Sequence, residues 1–365
     1  MPDAAARFAQ LANEYEPRKR AATALVEVWN WYTWPGLDLR PLRFERALLR
    51  PGRRLEARPS GDVDVLRLGF DAQGRVSVVE EYSGFLHGRL HQETFFRHGD
   101  EVVEVAHFDT DGPIYLHEYR FDDGLMRSAD MVARRGSGRE SYAYTDGRIF
   151  RVEVEHHGRP PAVLLAEHDD DGLLRLVEAT GRQSRELYVR PPAGFDLDTA
   201  CQALEDMLVA LIPAAAARLP VDDPIACLAL GYAGPAQLSL GISAATAAER
   251  ADLRTVDARA AWSPEDFEAS TDIDLDDTGP ARLIRQELTL LDADDPDVSA
   301  GSEILRRLCC SAAARLNLRD WSATLPVTDD FVVYAVDLEL VDLDRNLTSC
   351  LPPDRLALLR ERGLW

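Results

Sequence analysis

The residues of this chain best suited to chemistry fall into two groups. All eight histidines, His87, His91, His98, His107, His117, His156, His157 and His168, lie in the first half. His87 and His91 have the spacing of two metal ligands on one helical face, but Gly84 and Gly88 disfavour a helix there. No glutamate stands between them as a zinc hydrolase requires. The histidines therefore read as imidazoles on open strand faces. The second group is acidic. In Asp272-Ile273-Asp274-Leu275-Asp276-Asp277, strand alternation sends the first three aspartates to solvent and Ile273 and Leu275 to a core. A calcium loop is the rival reading, yet Gly279 and Leu283 occupy the eighth and twelfth positions, where an EF-hand needs glycine at the sixth and a carboxylate at the twelfth. Asp272, Asp274, Asp276, Asp277, Asp292, Asp294 and Asp295 are accordingly expected to form a partner-binding acidic face. Ser239 lacks the preceding glycine of a hydrolase elbow, and Gly231, Gly234 and Gly241 lack the spacing of a phosphate loop. No catalytic residue, metal or cofactor is expected.

The charge balance sharpens this. The chain has 365 residues and a formal net charge of −22. Residues 194–365 hold 31 acids against 14 arginines, whereas residues 1–193 hold 32 acids against 27 bases. Such a field repels a nucleic-acid backbone and favours a basic protein partner. Five cysteines, Cys201, Cys227, Cys309, Cys310 and Cys350, show no paired metal-ligand spacing and fit a reduced compartment. Cys309 and Cys310 sit in a helical pattern as small core residues. The first residues carry charge early and no apolar stretch follows, so no secretory signal and a cytoplasmic location are expected. The longest apolar run, around Met207–Ala217, is interrupted by Pro213 and is about half a membrane span, so no span is expected.

These residues need elements to position them. Glycines recur at Gly74, Gly99, Gly124, Gly147 and Gly172, at intervals of 25, 25, 23 and 25 residues. Most follow an aspartate, as in Phe121-Asp122-Asp123-Gly124 and Tyr144-Thr145-Asp146-Gly147-Arg148, and alternating β-branched runs flank them. The period predicts an antiparallel β-hairpin array over residues 60–190, each hairpin pairing with the next. At Tyr142-Ala143-Tyr144-Thr145-Asp146-Gly147-Arg148 the sequence resembles the tyrosine-aspartate repeats of bacterial Rhs and teneurin-like proteins; His98-Gly99-Asp100 departs from that motif. The resemblance implies an antiparallel scaffold and no catalytic residue.

Residues 1–59 read as a helical and aromatic cap. Ala4–Glu16 and Ala21–Val28 are helical in pattern with a break at Pro17, and Trp29 and Trp31 alternate so as to cover the first hairpin. Arg190-Pro191-Pro192-Ala193-Gly194 is the boundary to a separate acidic α/β or α+β domain over residues 194–365. There the pattern predicts a helix from Asp196 or Asp198 to about Leu211 and strands at Ile225–Tyr232, Ala236–Ser243 and Phe331–Leu338. Further helices are expected from Ser299 or Ser302 through Leu316 and from near Pro353. The fold class is α+β. The stretch from Asp329-Asp330-Phe331-Val332-Val333-Tyr334-Ala335-Val336-Asp337 to Arg362-Gly363-Leu364-Trp365 resembles an uncharacterised bacterial α/β family found beside polymorphic toxin genes. That resemblance implies a cytosolic binding protein, members of the family often being proposed as immunity proteins. The functional expectation is a non-enzymatic protein that binds a basic partner such as a toxin. The alternatives are a metal-dependent or hydrolytic enzyme at the domain junction, and a structural scaffold.

Overall fold

A computed structural model describes residues 4–235, 239–275, 279–294 and 299–365. The fold is α+β: the described residues form a thirteen-stranded antiparallel sheet, a four-stranded sheet and nine helices. They divide into two compact units, one reaching Arg190 and the other starting at Pro191.

The first unit opens with α1 (Ala4–Leu11), α2 (Tyr15–Thr23), β1 (Val28–Thr33), α3 (Arg43–Ala47) and the two-residue β2 (Arg54–Leu55). A meander follows: β3 (Val65–Phe70), β4 (Val76–Ser83), β5 (Arg89–His98), β6 (Val102–Asp109), β7 (Gly112–Asp122) and β8 (Leu125–Ala133). It continues as β9 (Gly136–Thr145), β10 (Arg148–His156), β11 (Ala162–Asp169), β12 (Gly172–Thr180) and β13 (Gln183–Val189). From β3 to β13 each strand pairs with the next, while β1 lies beside β3 and β2 flanks β1. The five periodic glycines fall at alternate reversals, so one period is two strands and two turns. At Asp123-Gly124 φ is +50° and +75°, and at Asp146-Gly147 +51° and +75°. Two successive left-handed residues make the tight turn whose twist matches that of the strands it joins. Asp71 instead braces its turn by accepting the N–H groups of Gln73 and Arg75 at 2.9 and 2.8 Å.

Strand alternation gives this sheet two apolar faces. On one, Val78, Phe95, Ala106, Phe108 and Leu116 meet Leu11 and Ala22 of the helices. On the other, Leu66, Val79, Phe96, Val105, Tyr119, Tyr142, Val152, Leu164 and Leu176 are covered in part by Leu39 and Leu42 from the segment between β1 and β2. Arg18–Glu104 at 2.7 Å and Lys19–Glu93 at 2.9 Å pin α2, and Arg46–Glu140 at 2.8 Å pins α3. Two local expectations are corrected. Pro17 lies inside α2, in the first turn, where a missing N–H leaves no helical bond unmade. Val28 starts a strand rather than ending a helix. Trp29 and Trp31 lie in the sheet, as their alternation predicts, on β1 beside β3, with the Arg67 guanidinium 4.2 and 5.7 Å from their rings.

The second unit contains α4 (Leu197–Ala216), β14 (Ile225–Tyr232), β15 (Ser239–Thr246), α5 (Ala247–Val256), β16 (Ala269–Asp274) and α6 (Gly279–Asp294). It ends with α7 (Ala300–Asn317), β17 (Val327–Asp337), α8 (Leu343–Cys350) and α9 (Pro353–Glu361). Its sheet runs β16-β15-β14-β17, with β14 and β17 parallel and the other pairs antiparallel. All of β14 is buried, as befits a central strand covered on both faces. Asp196 caps α4 by accepting the Thr199 N–H at 2.8 Å. That helix continues past Leu211 and through Pro213 for 20 residues, so its expected end near Leu211 is corrected. By length and composition α4 could cross a membrane, and its Leu204, Leu208 and Ile212 lie in the unit's core. The second strand is described over Ser239–Thr246, and Ala236 lies outside the described residues.

Candidate functional site

In an open sheet, parallel strands leave a crevice at their carboxyl ends. In the second unit Tyr232 and Asp337, paired in register, end β14 and β17. Beside them lies a cleft of about 700 Å3 lined by Ser302, Glu303, Arg306, Asp337, Glu339 and Asp342 among others. This volume falls within the range of roughly 300–1,000 Å3 typical of small-ligand clefts.

Its floor is a buried polar chain. Asn346, wholly buried, donates through Nδ2 to the Tyr232 hydroxyl at 2.9 Å, and its Oδ1 accepts from Arg306 Nη1 at 2.9 Å. Arg306 grips Glu303 through Nε and Nη2, both at 2.9 Å, and Arg345 grips the same carboxylate at 3.0 and 2.9 Å. The Arg306 hydrogen bonds, followed by the charges of both arginines, bring the Glu303 carboxyl down to about 2. Arg306 also approaches Cys310 Sγ at 3.8 Å. The Cys310 thiol is lowered, first by its hydrogen bond with Cys350 and then by Arg306. Asp337 accepts the backbone N–H groups of Glu339, Val341 and Asp342, which shapes the turn at the rim. Leu338 and Val341 stand exposed on that turn, so the acidic rim carries apolar contact points.

Of the seven aspartates expected on one acidic face, the side chains of Asp272 and Asp292 are described. Asp272 is exposed on β16, an edge strand, and Ile273 and Leu275 are buried in the alternation its sequence predicts. Asp292 lies in α6 and is committed to Ser302, accepting from its N–H at 3.0 Å and from its hydroxyl at 2.6 Å. Asp274 and Asp294 are the last residues of β16 and α6, while Asp276, Asp277 and Asp295 lie outside the described residues. The carboxylates lining the cleft, Glu303, Asp337, Glu339 and Asp342, escaped the sequence reading because they are spread over two elements and a turn.

The histidines also need a correction. His107 and His117 are not on an open face but buried, stacked in a row with tyrosines. His107 and Tyr115 lie 4.5 Å apart and nearly parallel, Tyr115 and His117 are 4.8 Å apart, and His117 and Tyr119 5.4 Å. Burial lowers both imidazoles to about 4, so they are neutral at pH 7. His107 bonds Thr94 and Gln92, and with Glu81, Asp38 and Arg40 the row encloses a cavity of about 80 Å3. His98 and His168 bond the carbonyls of Val76 and Ile149 across the sheet. Among the described residues no group of three or more His, Cys, Asp or Glu is placed to hold a metal.

No family model and no curated protein matches the chain. Among solved structures, a porin-like protein from Bacteroides uniformis aligns at 10% identity over 36% of this chain and 55% of that chain, with a TM-score of 0.27.

Proposed function

We propose that the chain is a non-enzymatic binding protein, of the immunity type, whose acidic second unit engages a basic protein partner such as a bacterial toxin in the cytoplasm. The observation that carries this reading is the cleft at the ends of β14 and β17, where four carboxylates and the exposed Leu338 and Val341 share one rim. Complementary charge speeds encounter and filters partners, while apolar contacts hold the complex. Glu303 and Asp337 are committed to arginines and to backbone, which leaves Glu339 and Asp342 as the groups offered to a cationic side chain. The first unit serves as a scaffold of the tyrosine-aspartate type, in keeping with the motif at Tyr144-Thr145-Asp146-Gly147.

The test is co-purification with the product of the adjacent gene, followed by kinetics at increasing salt. Association that slows as salt rises, and that weakens about tenfold in a Glu339→Gln, Asp342→Asn double variant, supports the reading. Association indifferent to both salt and these substitutions overturns it.

A further inference from the structure

At the opposite ends of β14 and β17, beside Ala226 and Asp330, lies a second pocket of about 450 Å3. Its wall contains Arg250, which is only 2% exposed. The Nε, Nη1 and Nη2 atoms of Arg250 are shielded from water and have no hydrogen-bond partner among the described residues. The guanidinium stacks on Trp262 at 4.1 Å, which covers one face of the plane and leaves its in-plane donors unused. A buried charge with no partner is strongly unfavourable, so the site is incomplete without an anion.

A second cation reinforces the point. Arg254 lies one turn further along α5, four residues from Arg250 and on the same helical face, and it lines the same pocket. It is exposed, passes near Gly363, and no ion pair joins it to a carboxylate among the described residues. Like charges four apart on a helix repel each other unless an anion bridges them. Asp330 does not do so: its oxygens are taken by the Thr328 hydroxyl at 2.7 Å and by Arg362 at 3.1 Å. Two uncommitted arginines in a unit with 31 acids and 14 arginines point to a ligand rather than to chance.

We propose that this pocket binds a small organic monocarboxylate. A guanidinium matches a carboxylate in two parallel hydrogen bonds. The walls formed by Ala226, Ala247, Ala251 and Leu364 suit an apolar body behind that head group. Asp330 in the wall, and the surplus of acid around it, disfavour a dianionic phosphate more than a singly charged carboxylate. Arg254 makes the outer contact, and Arg250 turns on the Trp262 ring to meet the head group. The site is independent of the partner-binding cleft.

The test titrates the full chain with hexanoate, hexanamide and inorganic phosphate, read by ligand-observed NMR. Saturable hexanoate binding is expected, with hexanamide and phosphate at least about tenfold weaker. Arg254→Met, an exposed substitution that leaves the fold intact, weakens hexanoate by about tenfold, and Arg250→Met abolishes it. If Arg250→Met does not fold, Arg254→Met decides alone. Absence of saturable hexanoate binding, equal binding of hexanamide or phosphate, or hexanoate affinity unchanged in Arg254→Met overturns the proposal.

Discussion

Glu303 shows how a single carboxylate organises the cleft at the ends of β14 and β17, since two arginines from different helices converge on it. Glu303→Gln removes one charge and leaves Arg306 buried with a weaker partner. Because Glu303 is about a third exposed, solvent screening trims the loss to about 1–2 kcal/mol. Its folded carboxyl titrates at about 2 against an ordinary 4.5. This contribution is therefore complete above pH 4.5 and disappears as pH falls through about 2. Urea unfolding of the native chain and the variant should give a constant gap from pH 7 to 5 and a narrower one at pH 3. The buried imidazoles of the first unit also lose stability on acidification, but over a higher range. His107 titrates at about 4 when folded, held down by burial, with Asp109 and His91 as nearby charges. Between pH 6.5 and 4 the unfolded chain takes up a proton that the folded chain refuses, costing up to about 3 kcal/mol. His107→Gln should make the fall of stability with pH shallower by close to one proton, measured by urea unfolding at pH 7, 5.5 and 4.5. An unchanged slope would refute the burial account.

Elements impose their own constraints, and two kinds of glycine separate them. Gly147 adopts φ +75° in a tight turn, so Gly147→Ala should cost about 1–2 kcal/mol. Gly136 stands at another reversal with open space around it and without positive φ, so Gly136→Ala should be neutral or mildly stabilising, by up to about 1 kcal/mol. Thermal unfolding of the two variants compares them directly. Gly301 is constrained by packing instead: a Cβ there would meet the Leu288 carbonyl oxygen at 2.0 Å, where α6 and α7 touch. Gly301→Ala should destabilise by about 2–3 kcal/mol in urea unfolding, because backbone cannot yield as a side chain does. These contrasts explain what was legible in the sequence. Turn chemistry is local, so Asp123-Gly124 and Asp146-Gly147 disclosed the meander and its period. The burial of His107 and His117 depends on Leu39, Asp38 and Arg40 being laid over the sheet, which no local pattern announces. Likewise, Arg306 meets Asn346 forty residues away, and the cleft they underlie exists only once β14 and β17 are paired.

At the scale of the whole molecule, the surplus acid of the second half makes ionic strength the natural probe. Raising salt from about 0.05 to 0.5 M should slow association with a basic partner by an order of magnitude or more, while dissociation changes far less. Surface plasmon resonance separates the two rates. The strand order of the first unit has a consequence of another kind. Since every strand from β3 to β13 pairs with its sequence neighbour, its contacts are mostly local, and each reversal can form as soon as its two arms have left the ribosome. The long-distance ties, such as Arg46 to Glu140 and α3 against β13, join residues made early to residues made late. Assembly during synthesis would therefore proceed as a zipper that stays unlatched until its final teeth emerge, with the early segment waiting to close over a surface not yet complete.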